Sequence, residues 1–418
     1  MKVLVLHNRY NQRGGEDSCV DAETALLKQY GVEVASLIVE NDDSEDLSFG
    51  AKLRTAFGGV WSSESYNQVR DACRQWNPDI AHIHNFWMKL SPAAHSACVD
   101  EGVPTIQSIH NYRMICVNAL MLRDQKVCSD CSSRIPWRGI WHRCYRDSAC
   151  ASAAVAGMIA YHRFQHTWQD VDGFIAVSDH VRSQLVHGAI PAERIFVKPN
   201  FVPKAEGPWK RPSESDYLLF AGRLSQEKGC RELIQAWIEG GLSAHGRLLI
   251  AGEGPQKAEL LDLLAVGVKD HRVELLGLQT RQQLKALMRE ARAVVFPSVW
   301  NEPFGLTAIE AYSYGKPVLA SRRGGLTEVV IPEKTGVLFE ISDADDTARA
   351  LRSILLNGEE ADRLGLHALE RYTREYTPER NFEILMSIYD RVRERFSARR
   401  PGVPLRSAVA PGAIWTSN

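Results

Sequence analysis

Two glutamates with seven residues between them, Glu302 and Glu310, follow a short apolar run, Ala293 to Phe296, in the segment NEPFGLTAIEAYSYGKPVLAS. Pro303 biases Glu302 towards extended backbone, and a helix can begin near Phe304 and Gly305. Glu302 therefore falls at the carboxyl end of a strand and beside a helix N-terminus. Free backbone N–H groups and the helix dipole favour an anion at such a point, and the small Gly305 lets a ligand come close to the backbone. A diphosphate meets that description. Glu310 lies inside the helix, where a carboxylate can accept two hydrogen bonds from a ribose diol. Upstream, YLLFA is followed by GRLSQEKG, in which Gly222 and Gly229 flank two cations five residues apart, Arg223 and Lys228. Both can face one diphosphate.

These residues resemble the retaining glycosyltransferases of the GT-B fold known as glycosyltransferase family 4. The spacing of Glu302 and Glu310 looks like that family's signature of two glutamates, and EPFGLTAIEA reproduces its usual filling. The resemblance implies that Glu302 holds a donor-sugar hydroxyl, that Glu310 holds the ribose, and that Arg223 and Lys228 neutralise the donor phosphates. It also implies donor contacts from Phe304, Gly305, Leu306 and Thr307, and from Gly222. The turn Gly252, Glu253, Gly254 and Pro255 borders the nucleotide in the family, although GEGP is also an ordinary strand-to-helix turn. In the first half, Arg13, Gly14, Gly15 and Glu16 resemble the family's glycine loop, whose backbone approaches the donor phosphates and the acceptor. His110, in QSIHNYR, stands where the family commonly has a histidine near the donor sugar's distal hydroxyls; a core histidine is the competing reading. His82 and His84, in AHIHN, read as structural.

The elements that must position these residues are short apolar runs alternating with helical stretches. Val3 to Leu6, Val32 to Val39, Asp79 to His84, Thr105 to Ile109 and Gly173 to Val177 predict one parallel sheet. Tyr217 to Ala221, Arg247 to Ala251, Val273 to Leu276, Ala293 to Phe296, Pro317 to Ala320 and Gly336 to Phe339 predict a second. Between them KPNFVPKAEGPWKRP, with four prolines and three lysines, cannot continue as helix or central strand. The expected architecture is two Rossmann-like domains facing a central cleft. An acceptor-side domain is assigned to residues 1–198 and a nucleotide-sugar-binding domain to 199–376. A helix over 377–398 is expected to pack back towards the first domain, and 399–418 forms a tail without periodicity that is expected to be disordered. In that helix Thr377 can act as cap and Pro378 as first residue, with Phe382, Leu385, Tyr389, Val392 and Phe396 along one stripe.

A Cys-rich insert, 112–147, belongs to the first domain. Cys116, Cys128, Cys131 and Cys144 follow C-x11-C-x2-C-x12-C, a pattern that suits a tetrahedral structural zinc. His142 and Cys150 are alternative ligands, and unligated thiols are the competing reading. The insert reads as polar and without a core of its own, a deficit that a metal would make good. Phe49, Leu53, Phe57 and Trp61 recur along a helical stretch that also carries Lys52 and Arg54, and can rest on a membrane face; a core-facing helix fits equally.

Composition narrows the partners. Fifty basic and fifty-one acidic residues leave a net charge of -1, so no global field attracts nucleic acid, and phosphate recognition must be local. MKVLVLHN reads as a strand rather than a secretion signal, and no apolar run spans a bilayer, so the expected location is cytoplasmic, peripheral on the inner membrane face at most. Nine cysteines, an odd count, argue against a disulfide framework. The function expected from the resemblance is retaining transfer of a sugar from a UDP- or GDP-linked donor, with no cofactor required for catalysis. The acceptor is a saccharide or a polyprenyl-diphosphate-linked one, in bacterial surface polysaccharide synthesis. An epimerase or phosphorylase on the same fold, or a zinc-module scaffold with relic donor binding, are the alternatives the sequence leaves open.

Overall fold

The structure, a computed structural model, describes residues 1–10, 14–41, 58–265 and 272–399. The chain divides into two compact units. The first comprises Met1–Met121, Cys128–Pro199 and the C-terminal segment from Asn381; the second comprises Asn200–Arg380 with Leu122–Val127.

The first unit is built on a six-stranded sheet of β1 (Lys2–Arg9), β2 (Glu33–Glu40), β3 (Ile80–Ile83), β4 (Thr105–Ile109), β7 (Gly173–Ala176) and β8 (Ile195–Val197), in the order β2-β1-β3-β4-β7-β8. Every neighbouring pair is parallel. Two two-residue strands, β5 (Leu122–Arg123) and β6 (Lys126–Val127), form a separate antiparallel hairpin. The strands read as continuous apolar runs because helices cover both faces of a parallel sheet. The three-residue β8, like β5 and β6, is passed over by the sequence pattern.

The helix Pro378–Arg399 carries Leu385, Ile388, Tyr389 and Val392 into the same core as Val3, Val5, Ile106 and Ile175. Each such aliphatic side chain contributes about 1.5–3 kcal/mol when buried. Thr377 accepts from the Arg380 N–H through its hydroxyl and so caps the helix start. A side chain at Gly173 would put its Cβ 2.6 Å from Val392, so the close approach of this helix to β7 depends on that glycine.

The second unit has a six-stranded parallel sheet of β9 (Tyr217–Ala221), β10 (Arg247–Ala251), β11 (Val273–Gly277), β12 (Ala293–Phe296), β13 (Val318–Ser321) and β14 (Gly336–Phe339), ordered β11-β10-β9-β12-β13-β14. The order reverses between β9 and β12, where successive crossovers leave in opposite directions. In open α/β sheets, ligands bind at the carboxyl ends of the strands at such a point.

Candidate functional site

In the second unit, the loops leaving β9, β10 and β11 are tied to one another by backbone hydrogen bonds. Gly222 N donates to Ala251 O at 3.0 Å, Leu224 N to Glu253 O at 2.9 Å and Gly252 N to Gly277 O at 2.9 Å. Two glycines make this packing feasible. Gly252, at φ 155°, would place a Cβ 1.8 Å from Gly222 O, and Gly229, at φ 71°, would place one 1.8 Å from Pro297 O. Gly229 thus holds the end of the GRLSQEKG loop against the segment leaving β12, and Val299 N donates to Glu227 O at 3.0 Å beside it.

That packing brings Lys228 onto Glu302. The ammonium lies 2.8 Å from Oε1 and 3.0 Å from Oε2, while Trp300 Nε1 donates to Oε2 at 2.6 Å and the Ser298 hydroxyl at 3.1 Å. The carboxylate is nearly buried and held by three donors, so its orientation is fixed before any ligand arrives. The Glu302 backbone is held as well, since its carbonyl accepts from Gly325 N at 2.7 Å. Ser298 and Trp300 were not legible as site residues, although SVW directly precedes NEP in the chain.

Arg223, on the same loop as Lys228, is exposed and makes no ion pair among the described residues. The helix after Pro303 spans Leu306–Ser313, with Gly305 as its N-cap at φ 107° and no side chain capping it. A Cβ at Gly305 would lie 2.7 Å from Leu326, so both the conformation and the packing require glycine. Leu306 and Thr307 are partly exposed at that N-terminus, whereas Phe304 is buried edge-on against Tyr376. Glu310 stands one turn further on, and among the described residues its carboxylate accepts no hydrogen bond. Burial pushes its pKa up, with Arg281 and Lys285 opposing. Glu253 is committed elsewhere, 2.6 Å from Lys257 Nζ.

The first unit has its own reversal point, between β1 and β3. The helix Gly15–Gln29 starts there with Gly14 as N-cap, whose N–H donates to Asp17 Oδ2 at 2.9 Å. Open space surrounds the Cβ direction of Gly14, and Gly15 beside it is exposed; Arg13 lies outside the described residues. Glu16 Oε2 accepts from the Tyr10 hydroxyl at 3.0 Å and from Asn111 Nδ2 at 3.1 Å. Burial raises the Glu16 carboxyl to about 7, against the opposing hydrogen bond from Tyr10. His110 Nε2 is 3.2 Å from His84 Nδ1, and burial holds His110 down at about 4, so it is a neutral imidazole at pH 7.

Beneath these groups lies a fully buried polar network. Lys198 Nζ is 2.7 Å from Glu23 Oε2 and 3.1 Å from Asn381 Oδ1. His82 Nδ1 meets the Tyr389 hydroxyl at 2.7 Å, its Nε2 meets the Ser108 hydroxyl at 2.8 Å, and His84 stacks on its ring at 4.1 Å. Burial raises Glu23, but Lys198 and the histidines outweigh it and leave the carboxyl below its ordinary value; burial lowers both His82 and His84. Among the described residues, Glu23, His82 and His84 are the one set of metal-type donors with all atoms within 4.8 Å of one another. The Lys198 ammonium already supplies the positive charge there, so the set is an ion-pair core.

The four cysteines of the insert form no disulfide. Cys116 and Cys128 are electrostatic neighbours of Cys131, whose thiol burial pushes up to about 11. Their donor atoms nevertheless do not form a set within 4.8 Å, so as placed they do not fit a tetrahedral zinc. The insert also differs from the coreless segment expected, because Ile115, Val117 and Met121 are buried. Phe49, Leu53 and Phe57 lie outside the described residues; Trp61 is not helical and stacks on Tyr66 at 5.9 Å.

Comparison with known proteins joins the two halves. Residues 202–371 match the family described as Glycosyl transferases group 1, and residues 14–206 match Glycosyltransferase Family 4. The chain has the GT-B fold, and each of its halves matches a glycosyltransferase family. It is similar to the glycogen synthase of Mycobacterium tuberculosis, at 30% identity over 314 residues, a match covering 72% of this chain and 66% of that protein. The chain thus spans just under two thirds of that relative. It is also similar to the D-inositol 3-phosphate glycosyltransferase of Corynebacterium efficiens, at 35% identity over 213 residues, covering 49% of this chain and 48% of that protein. Among solved structures, Anabaena HepE in complex with UDP superposes with a TM-score of 0.65 at 16% identity, covering 93% of this chain and 100% of that one. Sucrose-phosphate synthase from Thermosynechococcus elongatus gives a TM-score of 0.66 at 19% identity, covering 95% and 100%. At these identities the structural likeness speaks for the fold. Among the described residues, no helix is long and apolar enough to cross a membrane.

Proposed function

We propose that this glycosyltransferase transfers a sugar from a nucleotide-diphosphate donor with retention of configuration. The acceptor is a saccharide or a polyprenyl-diphosphate-linked saccharide. The observation that carries the reading is the Lys228–Glu302 pair at the strand-order reversal of the second unit, with Arg223, which makes no ion pair among the described residues, on the same loop. A donor diphosphate arriving at that edge meets Arg223, the uncapped helix N-terminus at Gly305 to Thr307, and a lysine that can exchange one carboxylate oxygen for a phosphate oxygen. Glu302 then accepts a hydrogen bond from a sugar hydroxyl, and Glu310 accepts from the ribose. Solved structures of HepE with UDP and with UDP-glucose on the same fold support a UDP-linked donor.

Bond breaking leaves negative charge on the departing diphosphate, and the two cations and the helix N-terminus are placed to stabilise it. Side-chain cations serve as the counter-charge in this reading, and the acceptor hydroxyl attacks on the face the diphosphate leaves. The polar groups at the first unit's reversal point, Glu16 and Asn111, are assigned to the acceptor side, and His110 to the donor sugar's distal hydroxyls. A thermal-shift and calorimetric screen of UDP- and GDP-linked sugars tests the donor half, since a ligand that binds only the folded state raises its melting temperature. Stabilisation by at least one, with nucleotide diphosphate released only when acceptor is added and the product anomer matching the donor, is expected. No response to any nucleotide sugar sinks the reading. Epimer formation from donor alone replaces it with the epimerase alternative.

A further inference from the structure

We propose that the Cys-rich insert docks the protein on an anionic lipid surface through a face formed by Ile135, Trp137, Trp141 and Phe164. These four side chains are 73%, 57%, 77% and 80% exposed, whereas most of the other described tryptophans are covered. Single exposed apolar residues are ordinary, but a group of large ones held together marks an interaction surface.

The local structure holds them together. Trp137 and Trp141 are four residues apart on the short helix Trp137–Trp141, and so share a face. Gly139 points the opposite way, and it is buried against Val117, where a Cβ would come within 2.5 Å of Cγ2. With the glycine face seated on the unit, the two indoles are forced outward. Ile135 adjoins them, its carbonyl accepting from Trp137 N at 2.9 Å. Phe164 ends the helix Ala149–Phe164, which packs against the short one. Its neighbour Arg163 fastens that end to the start of the insert face, donating to Arg134 O and Ser132 O at 2.6 Å each and to Cys131 O at 3.1 Å.

Charge identifies the occupant. From Ser132 to Arg146 the chain carries Arg134, Arg138, Arg143 and Arg146, all exposed, and no acidic residue. Asp130, paired with Arg138 at 3.2 Å, and Asp147 flank the stretch, so the face is net positive. Trp and Arg together suit the headgroup level of a bilayer, where the indole bodies enter the apolar boundary and the guanidinium groups meet anionic phosphates. A second copy of the chain using the same face would set these arginines against each other, because a two-fold interface is self-complementary. The inference stands apart from the donor reading, since none of these residues belongs to the donor site.

The test is sedimentation of the full chain with vesicles of phosphatidylcholine alone and of phosphatidylcholine with phosphatidylglycerol at low salt. Binding to the anionic vesicles only is expected. A Trp137→Ser, Trp141→Ser, Phe164→Ser variant should lose at least tenfold in partitioning, as should Arg134→Glu with Arg143→Glu. Both variants should keep the circular dichroism and the UDP-induced thermal shift of the parent, because the altered side chains are exposed. Three outcomes overturn the proposal: a parent protein that stays in the supernatant with anionic vesicles, a triple variant that sediments as the parent does, or self-association in light scattering that the triple variant abolishes. The last would assign the face to a second copy of the chain.

Discussion

Lys228 and Glu302, 74 positions apart in the chain, form a two-point ion pair, with the ammonium 2.8 and 3.0 Å from the two carboxylate oxygens. The lysine that would meet a donor phosphate is therefore neutralised by the carboxylate that would meet the donor sugar. A donor bound as proposed would have to divide the pair.

This coupling has a sign that can be measured. In Glu302→Gln the lysine loses its competing anion while Trp300 and Ser298 still hold the side chain in place. UDP alone should bind as tightly as to the parent, or more tightly, while turnover falls about a hundredfold or more because the sugar contact loses its charge. Calorimetry with UDP reads the first part and steady-state assay the second. A tenfold weaker UDP affinity in Glu302→Gln would show that the carboxylate supports phosphate binding instead of opposing it.

The Glu310 carboxylate accepts no hydrogen bond among the described residues, and burial raises its pKa. A ribose diol would satisfy it. Glu310→Ala should weaken donor binding by about 1.5–3 kcal/mol, the range for hydrogen bonds to a charged group. The parent should lose a similar amount when the ribose hydroxyls are removed from the ligand, and the variant should lose little more. Because the carboxylate is the competent form, affinity in the parent should rise as pH climbs through the raised pKa. Equal affinities of parent and variant for the donor take Glu310 out of the site.

The Glu23–Lys198 pair makes a stability prediction. Lys198→Met leaves the Glu23 carboxylate buried without its ammonium, and breaking a buried pair from one side costs about 3–5 kcal/mol. Adding Glu23→Gln should recover much of that loss, since a neutral amide carries no unpaired charge. Urea unfolding of the three variants checks the order. A double variant no more stable than Lys198→Met would mean that packing, not charge, is what the lysine supplies.

How much of this could be read from sequence depends on range. β9, β10, β12 and β14 have the bounds their apolar runs predict, because a strand buried on both faces is written as a continuous run. The residues of the candidate donor site were legible for a similar reason: they sit in contiguous stretches, GRLSQEKG and NEPFGLTAIE. Their pairing was not, because Lys228 meets Glu302 only once Gly229 has folded against Pro297. The network of Glu23, Lys198 and Asn381 joins positions 175 and 183 apart, with no local motif. Its one sequence signal is that Glu23 lies in register with Val20 and Leu27, and Asn381 with Leu385 and Ile388, each a polar residue on an apolar helix stripe.

Glu16 carries a pH dependence. Its carboxyl is raised to about 7, first by burial, with the nearby Asp17 adding to the rise and Tyr10, Asn111 and Arg113 opposing. A group whose folded pKa exceeds its unfolded one gives its full stability below the unfolded value, and that stability is lost as pH rises through the folded value. The window is thus about pH 4.5 to 7. Glu16→Gln removes the dependence, so it should gain on the parent between pH 5 and pH 8, by at most about 3 kcal/mol. Urea midpoints at the two pH values measure the gain. A gap that does not change with pH would mean that Glu16 titrates as an ordinary carboxyl.

Arg223 differs from Lys228 in having no anion to leave. It is exposed, on a loop anchored by Gly222 N to Ala251 O and Leu224 N to Glu253 O, so it is positioned yet makes no ion pair among the described residues. A donor diphosphate gives it a partner at once, and charge that develops on the leaving oxygen strengthens that contact further. A cation held there therefore helps the transition state more than the bound substrate. Removing such a preorganised group costs about 3–4 kcal/mol, or roughly a hundredfold to a thousandfold in rate. Arg223→Ala should show that loss in turnover, with a smaller loss in donor affinity. Arg223→Lys should recover little, because a point charge cannot reproduce a planar fork on two phosphate oxygens. Lys228→Ala should lose turnover too but retain more donor affinity than Arg223→Ala, because binding through Lys228 first requires it to be drawn from Glu302. If the two cations act on the same phosphates, the double variant should lose less than the sum of the singles. Near-parental turnover in both single variants, with circular dichroism unchanged, would leave the cations without a catalytic role and shift leaving-group stabilisation to the backbone amides from Gly305 to Thr307.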